Sequence, residues 1–361
     1  MKKIKILFIM IDLIGGGAER VILTIIKHLD RQKFIPILVL FRAEGPFLKD
    51  VPSDVQILDC KIARPRYGLF AVYNVIRNTK PDIVFSCGNY TISFLIIIAK
   101  IFLKRKTKFV TREKNTVSEQ MSCSHYSKLK RKLYEMLCPY FDKIICQCNY
   151  MKDDLVLHFR IPPQKMIVIN NPIDIELINT LAVRKNHDFY IKNKINLLAV
   201  GRLEYQKGYD YMLQALGLLD NKYHLSILGV GSLEKELTDL VERLGISHRV
   251  HFIGFKDNPY SYMASADLFV LSSRFEGFPN VVLEANACGL PVVAFRIPSI
   301  SEIIDDGVNG LSVEFGNVKE LAEGIEKTQN MIFDKTVIKQ MTFSKYHVKK
   351  IVEQYEQALL Y

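Results

Sequence analysis

The stretch that decides the fold spans residues 274–291 and reads R-F-E-G-F-P-N-V-V-L-E-A-N-A-C-G-L-P. The apolar run before it, residues 266–273, is bounded by turns and is typical of a buried strand. Pro279 suits the first position of a helix, and Gly289 suits its end. The stretch therefore predicts a strand, a glycine-containing loop and a helix N-terminus, a place where phosphate binds readily.

Two glutamates lie on either side of this helix start. Glu276 falls in the predicted loop, and Glu284 falls about one turn inside the predicted helix. A carboxylate on each side of an anion-binding helix end suits a ligand with phosphate in its middle and hydroxyls at both ends, which is the layout of a nucleotide sugar. The alternative is that Glu276 is a solvated loop charge and Glu284 a surface helix residue.

The length of 361 residues predicts two domains of common size. Strand-like segments alternate with helical stretches in two series, a pattern typical of parallel sheets with helices on both faces. The predicted strands are residues 5–10, 34–40, 55–58, 83–85, 108–111 and 143–147 in the first series, and 166–169, 195–200, 224–228, 250–253, 268–271 and 292–294 in the second. We therefore predict an α/β protein with domains at 1–165 and 166–339. Residues 346–361 have the apolar spacing of a helix with one face to bury.

Strand ends in the second half carry glycines, cations and an aromatic residue. The carboxyl ends of parallel strands form the rim on which open α/β sheets bind ligands, so these residues are expected to converge. Arg202 and Lys207 can neutralise a diphosphate, and Phe255 is available to stack on a base. The glycine turn at Gly229 and Gly231 lets the backbone approach a nucleotide. The alternatives are solvated cations and a Phe255 that packs in the core.

A strand, a glycine loop and a helix also begin the chain, which predicts a phosphate or ligand turn at Gly15, Gly16 and Gly17. The third glycine of the dinucleotide fingerprint is absent, because Arg20 occupies its place. Glu234 takes the same place in the second half. A nicotinamide or flavin cofactor is therefore disfavoured.

Other features exclude whole classes of protein. Seven cysteines without a C-x-x-C motif argue against a disulfide framework or a zinc ribbon. The apolar stretch at residues 94–103 is short and broken by Lys100, which favours a buried helix over a membrane span. A strand is favoured over a signal peptide at the start, because Asp12 and glycines follow only a short apolar run. These features together predict a cytoplasmic protein.

The charge is concentrated in the first half. Residues 1–165 hold 29 Lys and Arg against 14 Asp and Glu, whereas the remainder holds 20 against 24. A basic half fits nucleic acid, an anionic membrane or an acidic substrate. Basic clusters at 104–108 and 128–132 lie beside apolar and aromatic residues, a mixture typical of a peripheral membrane contact. The neighbouring residues are Phe102, Leu103, Leu129, Leu133, Tyr134 and Leu137. A solvated basic face is the alternative.

Several motifs together carry a resemblance to a known family. They are Gly15-Gly16-Gly17-Ala18-Glu19-Arg20, Gly201-Arg202 with Lys207-Gly208, Gly229-Val230-Gly231, E-G-F-P-N-V-V-L-E from Glu276, and Asp306-Gly307-x-Asn309-Gly310. Over nearly the whole chain the sequence resembles the retaining nucleotide-sugar glycosyltransferases of family 4. This resemblance implies the GT-B fold, in which two Rossmann-like domains face each other across a cleft and a C-terminal helix, here 340–361, crosses back to the first domain.

The resemblance also implies roles for individual residues. Glu276 would bind sugar hydroxyls, Glu284 the ribose, and Arg202 and Lys207 the diphosphate. Gly277, Phe278, Pro279, Asn280, Val281 and Val282 would bind the donor phosphates and sugar, with Gly16 and Gly17 approaching the diphosphate from the first domain and Phe255 and Lys256 meeting the base. Family members usually need no metal, and the chain contains no D-x-D. The implied catalytic residues are Glu276, Arg202, Lys207 and Arg112.

One segment departs from the family pattern. Many relatives carry a histidine after the strand that corresponds to residues 108–111, whereas this chain reads Thr111-Arg112-Glu113-Lys114-Asn115. Arg112 or Glu113 is expected to take that place, and His125 is a weaker candidate.

The expected activity is transfer of a hexose or N-acetylhexosamine from a nucleoside diphosphate sugar, with UDP as the expected nucleotide. The acceptor would be a lipid-linked oligosaccharide or a surface polysaccharide such as capsule or lipopolysaccharide, at the inner face of an anionic membrane and without nucleic acid. The alternatives are a glycoside hydrolase with Glu276 and Glu284 as its acid and nucleophile, a nucleotide-sugar epimerase and a basic nucleic-acid-binding protein.

Overall fold

The computed structural model describes residues 2–14, 16–103, 106–122, 127–183 and 190–360. Gly15, Lys104, Arg105 and His125 lie outside the described residues. The chain divides into two compact units. The first comprises Met1–Pro172 and Val348–Tyr361, and the second comprises Ile173–His347.

A parallel sheet forms the centre of the first unit. Its described strands are β1 (Ile4–Met10), β2 (Phe34–Leu40), β3 (Gln56–Asp59), β4 (Ile83–Ser86), β5 (Lys108–Arg112), β6 (Lys143–Cys146) and β7 (Met166–Val168). They lie in the order β3-β2-β1-β4-β5-β6-β7. The chain therefore changes direction across the sheet between β1 and β4, which is where open α/β sheets form a crevice. The central strands are continuous apolar runs because both of their faces are buried.

Helices cover this sheet, and one of them comes from the far end of the chain. The first six are α1 (Gly17–His28), α2 (Leu69–Thr79), α3 (Tyr90–Phe102), α4 (Val117–Ser122), α5 (Ser127–Leu137) and α6 (Asn149–Phe159). The last is α15 (Val348–Leu360), and its Tyr355 ring lies 6.4 Å from the ring of Phe85 on β4. Phe85 in turn lies 5.1 Å from Phe8 on β1. The C-terminal helix thus completes the core of the first unit, as the resemblance to the GT-B fold predicted.

A second parallel sheet forms the centre of the other unit. Its described strands are β8 (Ile195–Val200), β9 (Tyr223–Leu228), β10 (Val250–Gly254), β11 (Leu268–Leu271), β12 (Val292–Phe295) and β13 (Gly310–Val313), in the order β10-β9-β8-β11-β12-β13. Its helices are α7 (Ile175–Ala182), α8 (Tyr209–Leu218), α9 (Glu234–Arg243), α10 (Tyr260–Met263), α11 (Asn280–Ala287), α12 (Pro298–Ser301), α13 (Val318–Thr328) and α14 (Lys335–Tyr346). Both units are therefore Rossmann-like.

The unit boundaries differ from the predicted domains. Residues 166–168 form β7, which pairs with β6, so they belong to the first sheet and not to the second. Residues 340–346 belong to α14, whose Tyr346 packs on Phe278 in the second unit. The chain leaves helical geometry at His347, and only α15 returns to the first unit. The strand β13 was not predicted at all.

Three turns at the carboxyl edge of the second sheet touch backbone to backbone. A Cβ atom at Gly229 would lie 1.9 Å from the carbonyl oxygen of Gly201. A Cβ atom at Gly208 would lie 2.2 Å from the carbonyl oxygen of Ser272, and one at Gly231 would lie 2.3 Å from that of Leu203. These distances leave no room for any side chain. Glycine at these positions therefore allows the turns after β8, β9 and β11 to pack together.

Replacing Gly229 with alanine should destabilise the second unit. The new methyl group would overlap the Gly201 carbonyl, and the φ of +146° at this position is also strained for alanine. We expect a loss of roughly 3 kcal/mol or more in the free energy of unfolding, measured by urea denaturation followed by circular dichroism.

Gly217→Ala is the matched control for this substitution. Gly217 lies in α8, where the nearest atom to a new Cβ is 4.0 Å away. Alanine there should raise stability by up to about 1 kcal/mol, because glycine is a poor helix former. Equal stability of the Gly229→Ala variant and the unmodified protein would contradict the packing described here.

Candidate active site

The loop after β11 and the turn after β8 are locked together at the carboxyl edge of the second sheet. The Arg274 guanidinium donates to both carboxylate oxygens of Asp210, at 2.9 and 2.7 Å. It also lies over the rings of Tyr205 and Tyr211, at 4.1 and 4.5 Å from their centroids. The backbone N–H of Arg274 donates to the Gln206 carbonyl. This clamp fixes the start of the segment that contains Glu276.

The Glu276 carboxylate is buried and held by several donors. Its residue is 7 % exposed. Oε1 accepts from the Lys207 ammonium at 2.6 Å and from the Ser273 hydroxyl at 2.7 Å, while Oε2 accepts from Gln206 Nε2 at 3.2 Å. Glu276 is therefore not a solvated loop charge. The structure brings Glu276 and Lys207 together, as expected from the meeting of strand ends at one edge of the sheet.

Tyr209 stabilises the turn after β8 through a hydrogen bond. Its hydroxyl donates to the Gly201 carbonyl at 3.1 Å. Burial, and then the nearby charge of Glu276, raise the pKa of Tyr209 well above its usual range. The phenol therefore stays protonated and keeps its hydrogen bond, which ties the glycine turn to the base of α8.

Glu284 lies inside α11 and is also buried, at 6 % exposure, so it is not a surface helix residue. Its Oε1 accepts from the Tyr260 hydroxyl at 3.4 Å. The helix begins at Asn280 and not at Pro279, which occupies the preceding cap position in an extended conformation. Gly289 has the left-handed φ of +77° expected where a helix stops. The predicted loop and helix are thus observed with a shift of one residue at the start.

The remaining predicted donor-binding residues of the second unit have different surroundings. Phe255 is 46 % exposed, so it does not pack in the core, and Lys256 beside it is also exposed. Arg202 is exposed, and its guanidinium makes no hydrogen bond or ion pair with any residue in the described ranges. Gly229 and Gly231 are required by the packing of the turns, so their identity alone does not indicate a nucleotide.

In the first unit, Gly16 and Gly17 lie at the start of α1. Gly16 is the N-cap residue in extended geometry, and Gly17 is the first helical residue. A Cβ atom at Gly16 would meet only the carboxylate end of Glu19, at 2.5 Å. That side chain is flexible, so the fold itself does not demand glycine here in the way it does at Gly229.

The structure gives Arg112 a packing role. Its side chain is 1 % exposed and donates to the Tyr355 hydroxyl at 3.0 Å and to the Asn171 side-chain oxygen. The guanidinium therefore connects β5 to α15 and to the segment after β7. This arrangement differs from the expected position beside a transferred sugar, because the arginine donors are directed to buried partners.

Glu113, the other candidate for the missing histidine, lies next to Arg112 and is 2 % exposed. Its Oε1 accepts from the Tyr134 hydroxyl at 3.0 Å. Burial raises the pKa of Glu113 from 4.5 to about 7, opposed by the Tyr134 hydrogen bond and by the charges of Lys114 and Arg112. The group thus changes its protonation state near neutral pH. His125 lies outside the described residues.

The predicted membrane-facing residues divide into three sets, which are exposed, buried and half-buried. Phe102 and Leu129 are 68 and 62 % exposed. Leu103 and Tyr134 are buried, so the prediction that they face a membrane is wrong. The Tyr134 hydroxyl donates to Glu113 in the interior. Leu133 and Leu137 are half-buried. Sequence reasoning missed other exposed apolar side chains of this unit, namely Ile101, Met136 and Tyr140.

Charges on α5 are not all equally available. Arg131 is tied to Glu135 at 3.1 Å and to the His158 carbonyl at 2.7 Å. Lys128 and Lys132 are exposed.

None of the helices in the described ranges is both long enough and apolar enough to cross a bilayer. Within those ranges, no group of three or more His, Cys, Asp and Glu side chains is placed to hold a metal ion.

Sequence reasoning also missed Ser273, Gln206, Arg274 and Asp210 at the carboxyl edge of the second sheet. Ser273 ends the apolar run of a strand, and Gln206 directly precedes Lys207. Gln206 and Asp210 meet their partners across 70 and 64 positions of the chain, whereas Ser273 lies only three positions before Glu276. No local spacing signals the two long-range pairs, and the short Ser273–Glu276 spacing was the one signal that could have been found.

Comparison with known proteins identifies the family. Residues 183–334 match the model described as Glycosyl transferases group 1, and residues 15–177 match the model described as Glycosyltransferase Family 4. The chain is 31% identical to N-acetylgalactosamine-N,N'-diacetylbacillosaminyl-diphospho-undecaprenol 4-alpha-N-acetylgalactosaminyltransferase of Campylobacter jejuni, over 86% of each chain. It is 26% identical to the O-antigen biosynthesis glycosyltransferase WclY of Escherichia coli, over 80% of this chain and 79% of that one.

Among solved structures, Anabaena HepE in complex with UDP-glucose superposes with a TM-score of 0.83 at 24% identity, covering 98% of this chain and 99% of that one. Two Rossmann-like units of this topology form the GT-B fold. The chain belongs to glycosyltransferase family 4. It is therefore a transferase, and the hydrolase and epimerase alternatives are set aside.

Replacing Glu113 with glutamine should remove a pH dependence of stability. The pKa of Glu113 is raised in the folded protein, so its contribution is full below pH 4.5 and is lost as the pH rises through about 7. Over this window the unmodified protein should lose on the order of 3 kcal/mol more than the Glu113→Gln variant. Urea denaturation at a series of pH values measures the difference.

Glu353→Gln, which removes an exposed carboxylate of α15, is the matched control. It should follow the unmodified protein. Identical pH profiles for both variants would contradict a buried, titrating Glu113.

Proposed function

We propose that the chain is a retaining glycosyltransferase of glycan assembly. It moves a hexose or N-acetylhexosamine from a nucleoside diphosphate sugar, with UDP as the nucleotide, to a lipid-linked or polysaccharide acceptor. Support comes from two relatives, one named for a diphospho-undecaprenol substrate and one for O-antigen biosynthesis, and from a structural neighbour solved with UDP-glucose.

The observation that carries this proposal is the buried Glu276 carboxylate in contact with Lys207. A sugar hydroxyl needs a fixed acceptor, and a diphosphate needs a nearby cation. Only a ligand that has a sugar hydroxyl next to a diphosphate uses both Glu276 and Lys207. Glu276 therefore binds the sugar hydroxyls of the donor, and Lys207 binds its diphosphate together with Arg202.

Other residues complete the proposed donor site. Glu284 binds the ribose, the segment 277–282 at the start of α11 binds the phosphates and sugar, and Phe255 and Lys256 meet the base. In the first unit, Gly16 and Gly17 bind the diphosphate. The turn with Gly229 and Gly231 borders the nucleotide.

In the proposed reaction, the bond between the anomeric carbon and the diphosphate oxygen breaks, and the acceptor hydroxyl oxygen bonds to that carbon on the same face. The hydroxyl proton passes to the departing diphosphate. Lys207, Arg202 and the N-terminal end of α11 stabilise the negative charge that develops on the leaving group. This set of donors performs the task that a metal ion performs elsewhere, so the reaction needs none.

We assign the residue near the acceptor to Glu113 in preference to Arg112. Glu113 changes protonation near neutral pH, whereas the Arg112 donors are engaged with Tyr355 and Asn171. A carboxyl group that is partly protonated at this pH can donate a hydrogen bond near the acceptor, while the hydroxyl proton itself passes to the diphosphate. The protein acts in the cytoplasm, at the inner face of the cell membrane.

Glu276→Gln should abolish most transfer while the fold survives. The amide keeps the size of the carboxylate but loses its charge and part of its acceptor capacity, so we expect kcat/KM to fall at least about a hundredfold. The assay offers UDP-glucose, UDP-galactose, UDP-N-acetylglucosamine and UDP-N-acetylgalactosamine with a polyprenyl diphosphate acceptor in EDTA. The anomeric configuration of the product is read by NMR.

Glu314→Gln is the control, because Glu314 is an exposed carboxylate of the same unit. Near-normal transfer by Glu276→Gln, an inverted product, or activity only after addition of a divalent cation would each overturn the corresponding part of the proposal.

The protein should bind anionic vesicles through α5. Lys128 and Lys132 are exposed on either side of exposed Leu129, a combination that suits lipid phosphates and the interface beneath them. The double variant Lys128→Glu with Lys132→Glu should bind phosphatidylglycerol vesicles at least about tenfold more weakly at low salt. Co-sedimentation measures the bound fraction.

The matched control places the same charge change in the second unit, as Lys235→Glu with Lys327→Glu, both at exposed positions. It should retain binding. Equal binding to neutral and anionic vesicles, or an equal loss in both double variants, would reject the membrane part of the proposal.

A further inference from the structure

Two neutral side chains share the Glu276 carboxylate with Lys207. Ser273 reaches Oε1, and Gln206 reaches Oε2 while also donating to the Phe275 carbonyl at 3.0 Å. Both carboxylate oxygens are thus held by groups other than the lysine. We propose that Ser273 and Gln206 are positioning residues that keep Glu276 in place when Lys207 turns to the diphosphate of the donor. This inference rests on the proposed function.

The charge and position of Lys207 allow its ammonium to turn from Glu276 to the diphosphate. Its ammonium has three N–H donors, and in the described part of the chain Glu276 is the partner recorded for them. The side-chain stem lies over Gly201, where a Cβ atom would be 3.0 Å from Lys207 Cε. A diphosphate carries more negative charge than one carboxylate, so it draws the ammonium toward itself when it binds nearby.

Partial loss of the lysine would leave a carboxylate in a poorly solvated place. Glu276 is 7 % exposed, and a buried charge without donors is costly. Ser273, which is 1 % exposed and lies two residues after β11, cannot move away with the lysine. Gln206 is fixed through its backbone carbonyl, which accepts from Arg274 N–H at 2.8 Å. The carboxylate therefore keeps its orientation toward the sugar.

This arrangement separates two parts of donor recognition. A nucleoside diphosphate without a sugar needs Lys207 but makes no demand on the position of Glu276, because water in the empty sugar site can replace the lost donors to the carboxylate. An intact nucleotide sugar needs both. Loss of Ser273 or Gln206 should therefore weaken the intact donor and spare the free nucleotide, whereas a general structural defect would weaken both equally.

The test compares UDP with the four UDP-sugars named above by isothermal titration calorimetry, using the full-length protein. The variants are Ser273→Ala and Gln206→Met, which remove a donor with little change in size. Ser299→Ala is the control, because this serine is 1 % exposed and its hydroxyl has no hydrogen-bond partner among the described residues.

We expect UDP affinity to stay within about twofold for both variants, while affinity for the preferred UDP-sugar falls about tenfold, the size of one hydrogen bond to a charged group. The turnover number should fall as well. An unchanged ratio of UDP-sugar to UDP affinity in both variants would overturn the inference alone. Failure of the unmodified protein to bind any of these nucleotides would overturn the proposed function and this inference with it.

Discussion

Direct backbone contact between three turns is the constraint on which the candidate site depends. The turns after β8, β9 and β11 meet at Gly208, Gly229 and Gly231, where no side chain fits. Their contact places Lys207 from one turn within 2.6 Å of Glu276 from another. Side-chain attraction alone would not set this distance, because a lysine is long and flexible. The glycines instead fix the two backbones, and the charges then meet at short range.

The burial of Glu276 follows from the same packing. A carboxylate withdrawn from water is tolerated only with several donors, and the turns supply Lys207, Ser273 and Gln206 from two directions. The Arg274 clamp on Asp210 holds the intervening segment still. Preorganisation of this kind means that little motion of the protein is needed when a ligand arrives, so binding energy is available for orienting the sugar.

Much of the fold could be predicted from the sequence, because long apolar runs between turn residues leave few alternatives. Phe34–Leu40, Ile195–Val200 and Leu268–Leu271 were predicted residue for residue. Gly310–Val313 escaped prediction because it is short, begins with glycine and includes a serine. Residues 166–168 were assigned to the wrong sheet, since local sequence does not specify which strand is the neighbour.

Side-chain partners were harder to predict than elements. The motif residues Lys207 and Glu276 were placed together from the expected meeting of strand ends, and the structure confirms that they meet. The partner of Arg112 was not predicted, because a strand-end arginine looks the same in sequence whether it faces a ligand or Tyr355, which lies 243 positions further along. Gln206 carries no spacing signal, because only the folded turns bring it to the carboxylate, whereas Ser273 lies three positions before Glu276 and was overlooked.

The position of α15 has a consequence for the order in which the protein is made. Tyr355 packs against Phe85 and accepts a hydrogen bond from Arg112, yet it follows the entire second unit in the chain. During synthesis the first unit emerges from the ribosome before the helix that fills its core, whereas residues 173–347 emerge as one uninterrupted block. The later unit can thus reach its native packing first, and the earlier one waits for the final helix.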